Sequence, residues 1–151
     1  MTENVPDNPK TRRQFIWTSA MNLAFLIILA LYVSFLMQLG AVDGDTTSEP
    51  LPQSLYVIAP PAFGLVGLLL AIAWKPLRRG VIVLLALHYI LMMSIVLLAG
   101  YADVTLLLSQ KFSSSPDVFI LLGILAVLVF LFFWNIKSLK DLDLPSIFGK
   151  R

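Results

Sequence analysis

The chain has no cysteine, a single histidine and little charge. Without a thiol it forms no disulfide, and thiol catalysis, iron–sulfur clusters and thiolate zinc sites are excluded. Charged residues make up 13% of the chain, against roughly a quarter in a soluble domain, which points to lipid as the solvent. No Asp, Glu, Lys or Arg falls inside a long apolar run. Proton-coupled transport usually depends on such a group, or on a chain of histidines, in mid-membrane. Here His88 would stand almost alone, helped only by Asn22 and a few serines. Catalysis has no constellation either: Ser94 is one and a half turns from His88, off its face, and serines in membrane helices usually bond their own backbone. The expected protein is not an enzyme.

What the chain does have is apolar surface. Of its 151 residues, 58% are hydrophobic, and they gather in blocks near 15–39, 55–74, 81–101 and 118–136. Each block is long enough to cross a hydrocarbon core of about 30 Å as a helix. The expectation is an all-α integral membrane protein, a bundle of four transmembrane helices forming a single membrane domain over 1–151. The tails, 1–14 and 137–151, and the connections are too short for a further folded domain, which needs about 50 residues.

Charge sets the orientation. Lys10, Arg12 and Arg13 precede the first span, Lys75, Arg78 and Arg79 fill the turn between the second and third, and Lys137, Lys140, Lys150 and Arg151 follow the fourth. Asp43, Asp45, Glu49, Asp103 and Asp117 fall in the other two connections, with only Lys111 against them. The positive-inside bias places both termini and the "KPLRRG" turn in the cytoplasm. Arg12, Arg13, Lys75, Arg78 and Arg79 are thus topology anchors rather than a nucleic-acid surface, and the pattern suits a bacterial inner membrane. Trp17, Trp74 and Trp134 fall at the inner boundary and Tyr56 and Tyr101 near the outer one, as amphipathic rings at headgroup level should. The opening "TRRQFI" also has the look of a twin-arginine export signal. Its apolar run is too long and too hydrophobic for a cleavable one, and no small-x-small site follows.

Within the spans, Pro60 and Pro61 interrupt the outer third of the second, where a missing donor and a crowding ring predict a kink or a late helix start. Gly64, Gly67 and Ala71 follow at helical spacing and form a helix-packing groove. The segment 103–112 either lengthens the third helix or lies at the outer interface. "SSSPD" supplies a start for the fourth, with Ser114 or Ser115 as cap. The fourth span reads as apolar all round apart from Gly123 and Ala126.

His88 and Asn22 lie about 10 Å inside the same predicted edge of the core, level with Gly67. The favoured reading is a polar intramembrane pair, packed over the groove, in which each satisfies the other. His88 could instead ligate haem or chlorophyll, or edge a quinone pocket, but one imidazole supplies one axial position. Met92, on the same helix face, cannot take the opposite one. No cofactor and no metal are expected. The partners implied are the lipid bilayer and other membrane subunits or copies of the same chain. The function expected is that of a non-catalytic subunit, assembly factor or protective partner acting through helix–helix contacts. A transport or channel subunit lined by His88 and Asn22, and a redox or pigment subunit using His88, stay open as alternatives.

Overall fold

The structure, a computed structural model, describes residues 9–42, 53–73, 79–109 and 116–142. Among these residues there are four helices: α1 (Pro9–Val42), α2 (Gln53–Ala73), α3 (Arg79–Ser109) and α4 (Pro116–Asp141). In lipid every backbone N–H and C=O must find its partner inside the protein, and a helix achieves that within one segment. Three of the helices are long and apolar enough to cross a membrane, over Lys10–Phe35, Gly80–Ser109 and Val118–Asp141. The fourth, α2, is short, with an apolar stretch from Val57 to Ala73, about 26 Å long at 1.5 Å per residue.

The chain divides into two compact units, Met1–Lys75 and Pro76–Arg151. In the first, α1 packs on α2, and in the second, α3 packs on α4. Chain reach makes each pair antiparallel. Gly64 of α2 lies against Leu23 of α1; in a parallel pair with that register, Gln53 would lie about 45 Å from Val42. The ten intervening residues reach about 40 Å at full stretch. The six between α3 and α4 reach about 25 Å at most, well short of the 46 Å length of α3.

Several boundaries differ from the sequence reading. Residues 9–14, expected in the amino-terminal tail, form the first turns of α1, and Pro9 takes the opening position, where a missing N–H costs nothing. Beyond Leu39 the helix continues to Val42. The start of α2 at Gln53 precedes both prolines, so the late start expected from Pro60 and Pro61 does not occur, and both lie inside the helix.

The segment after Tyr101 lengthens α3 as far as Ser109. Its hydroxyls serve their own helix: Thr105 Oγ1 donates to the Tyr101 carbonyl at 2.8 Å and Ser109 Oγ to that of Leu106 at 2.8 Å. Asp103, assigned from sequence to a connection, is therefore helical and buried. Asp117 likewise belongs to α4, which opens at Pro116 and runs past Ile136 to Asp141. A tight turn, with Leu142 N–H donating to the Leu139 carbonyl at 3.3 Å, closes it.

All four helices bury their side chains in steps of three and four. The buried positions are Phe15, Ser19, Asn22 and Leu26 on α1, and Gly64, Gly67 and Ala71 on α2. On α3 they are Leu85, Tyr89, Met92 and Val96, and on α4 Leu128, Leu131, Asn135, Ser138 and Leu142. A seam that repeats every 3.5 residues keeps facing its neighbour when two helices cross at about 20°. The opposite faces are exposed and apolar.

Candidate functional site

In the first unit the polar part of the seam lies near the start of α1. Thr18, Ser19 and Asn22 are each fully buried. One turn of α1 separates Ser19 from Asn22, and Thr18 Oγ1 donates to the Gln14 carbonyl at 2.9 Å, so that hydroxyl is satisfied by its own helix. Gly64, Gly67 and Ala71 form one buried stripe on α2. At Gly64 the helices approach closely: an added Cβ would stand 2.9 Å from the Leu23 Cα and 3.1 Å from Leu26 Cδ1. The antiparallel register set by that contact brings Asn22 level with the Gly64–Gly67 turn.

In the second unit the polar groups gather at the end where α3 begins and α4 finishes. His88 is 3% exposed, and Asn135 and Ser138 are at 0%. His88 shares its part of α3 with the buried Leu85, Tyr89 and Met92, and its ring meets that of Tyr89 edge-on with centroids 6.1 Å apart. Asn135 Nδ2 donates to the Leu131 carbonyl at 2.9 Å. Counting helix rise from Arg79 and from Asp141, His88 and Asn135 lie about 14 Å and 9 Å from the ends of their helices, on the same side of the hairpin.

Asn135 and Ser138 were missed in the sequence, where the fourth span was read as apolar all round. The signal was present: Leu128, Leu131, Asn135, Ser138 and Leu142 are spaced three, four, three and four apart. That heptad pattern marks a seam whatever the polarity of its members.

Farther along α3, Asp103 is 6% exposed and its Oδ2 is buried without a hydrogen-bond partner. Ser94 is exposed and donates to the Ile90 carbonyl at 3.2 Å, the backbone bond expected of it. Among the described residues no three His, Asp or Glu side chains converge as metal ligands would.

Asn22 lies in the first unit and His88 in the second, each on the packing face of its own hairpin. Pro60 and Pro61 are half-buried on α2. Of the topology anchors, Arg12 is half-buried and Arg13 exposed at the start of α1. Lys75 and Arg78, with Trp74, the serines before Pro116, and Lys150 and Arg151, lie outside the described residues, and Arg79 opens α3. Trp17 and Tyr101 are exposed, at 61% and 75%.

No family model, curated protein or solved structure matches this chain.

Proposed function

We propose that this is a small polytopic membrane protein that works without catalysis, as a subunit, assembly factor or protective partner of a membrane complex. It acts through helix–helix contact. The observation that carries this reading is where the polar side chains lie. Thr18, Ser19, Asn22, His88, Asn135 and Ser138 are buried on packing seams, among apolar core residues of the same stripes. There Thr18 and Asn135 bond carbonyls one turn back on their own helices. All six polar groups are kept at helix–helix faces and away from lipid, a placement worth about 1 kcal/mol each on the scale of polar contacts between membrane helices. The outward faces, such as Ile28, Leu31 and Phe35 on α1 and Phe119, Ile120 and Phe133 on α4, are apolar and exposed. They suit lipid or the helix of a partner.

The same reading places four spans in a bacterial inner membrane, with both termini and the "KPLRRG" turn in the cytoplasm. The short α2 crosses because it lies antiparallel along the middle of α1, with Gly64 at Leu23. Mild-detergent purification of the full chain from its native membrane, with mass spectrometry of what co-purifies, tests the role. Defined partners at stoichiometric amounts support it; recovery of this chain alone overturns it.

A second reading has one observation in its favour. His88 and Asn135 give one hairpin a polar level inside the apolar span, and several copies could line a path there. That transport reading requires pH-dependent flux in proteoliposomes that is lost in His88→Ala. Flux absent from the parent protein removes it.

A further inference from the structure

The last turns of α4 carry a graded face. Phe130 and Phe133 are exposed at 51% and 64%, Trp134 is half-buried, and Lys137 and Lys140 are exposed. Phe130 is followed three and four residues on by Phe133 and Trp134, these by Lys137 at four and three, and Lys137 by Lys140 at three, so they share one side of the helix. The aromatic rings are in contact, with Phe130 and Trp134 centroids 5.4 Å apart. Lys137 Nζ sits 5.5 Å from the centre of the Trp134 ring. Its ammonium is thus folded back toward the apolar part of the helix, in a cation–π contact.

Depth gives this face its meaning. From Val118, where the apolar span of α4 begins, to Lys137 is about 28 Å of helix rise. A hydrocarbon core is about 30 Å thick. With Val118 at one edge of the core, Lys137 is the first cation at the other, and Lys140 stands one turn farther out, at headgroup depth. Asp141 is farther out still, so the two ammonium groups are the charges nearest the hydrocarbon at this end of the helix.

We infer that this face holds one anionic phospholipid. Its phosphate and headgroup lie between Lys137 and Lys140, Trp134 marks the boundary, and an acyl chain runs down over Phe130 and Phe133. Charge complementarity selects an anionic lipid over a zwitterionic one, because each lysine near the surface gains from negative charge. The aromatic residues below provide an apolar path that a free anion would not use. The site stands whether or not the protein has protein partners.

The test is native mass spectrometry of the full-length chain in mild detergent, titrated with phosphatidylglycerol or phosphatidylcholine. The parent protein should bind phosphatidylglycerol more tightly. The double variant K137Q/K140Q should weaken that binding about twenty-five-fold, on the scale of about fivefold for each lysine at an anionic surface. Phosphatidylcholine binding should not change. Both lysines are exposed, so the variant keeps its fold, and K137R/K140R should restore the preference. Lys10→Gln, which removes a cation from α1, should leave it intact. Equal binding of the two lipids overturns the assignment, as does a double glutamine variant that binds phosphatidylglycerol like the parent. Inorganic phosphate displacing the lipid at equal concentration would mark a phosphate site instead, and so also overturns it.

Discussion

Gly64 meets the backbone of Leu23 as well as its side chain: a Cβ added to the glycine would stand 2.9 Å from both the Cα and the Cδ1 of Leu23. A flexible side chain could turn aside, but a helix backbone cannot. The absence of a Cβ at position 64 is therefore what lets α1 and α2 lie this close.

Gly64→Ala should force the two helices apart and destabilise the first hairpin by about 1–3 kcal/mol, the usual penalty for overpacking. Gly123 gives the contrast, since among the described residues nothing lies within 4 Å of an added Cβ there. Gly123→Ala should stabilise α4 by roughly 0.5–1 kcal/mol through reduced backbone entropy. Thermal unfolding in a mild detergent measures both. A Gly64→Ala protein as stable as its parent would show that the close approach is not needed.

Asn135 and Ser94 both bond a carbonyl one turn back, yet their loss should be felt differently. Asn135 is fully buried, and Asn135→Ala also empties space in the seam, so a loss of about 1–2 kcal/mol is expected. Ser94 is exposed, and Ser94→Ala should stay within about 0.5 kcal/mol. Equal effects from the two substitutions would contradict the assignment of Asn135 to the packing seam.

His88→Ala should lower stability by about 1 kcal/mol and leave partner recovery from native membranes unchanged. Visible absorbance in the purified protein that disappears in this variant would instead identify haem or a pigment on the imidazole.

The lack of cysteine makes single-cysteine labelling clean. If α2 crosses the membrane, cysteines at Lys10, Gly80 and Asp141 react with an impermeant maleimide from the same side, and one at Thr105 reacts from the other. Gly80 labelled from the side opposite Lys10 would mean that α2 does not cross, and the orientation built on the positive-inside bias would fall with it.

How far the sequence carried the reading differs by level. Helix content and the existence of long apolar spans followed from composition alone, because a run of about 20 apolar residues in lipid has only one local solution. Boundaries were harder. Pro9 looked like part of a tail but opens α1, since proline is tolerated at a first helical position. Tyr101 looked like the end of a span, yet α3 continues to Ser109, because hydrophobicity marks where lipid stops and not where a helix does. Asn22 and His88 were visible as polar residues in apolar runs. Asn135 and Ser138 sit close to Lys137, so they read as the fringe of a span rather than as part of its interior.

By itself, the sequence determined that this protein is helical, that it belongs in lipid and that thiol chemistry is closed to it. These are consequences of which side chains are present and of how long their runs are. The tertiary structure alone decided which face of each helix is used. It made Gly64 a point of backbone contact while Gly123 faces open space, and it put Asn135 and Ser138 in a seam beside leucines. The reason is that lipid tails and leucine side chains are equally apolar, so hydropathy cannot separate a face that meets lipid from one that meets another helix. Only the fit of one surface against another can.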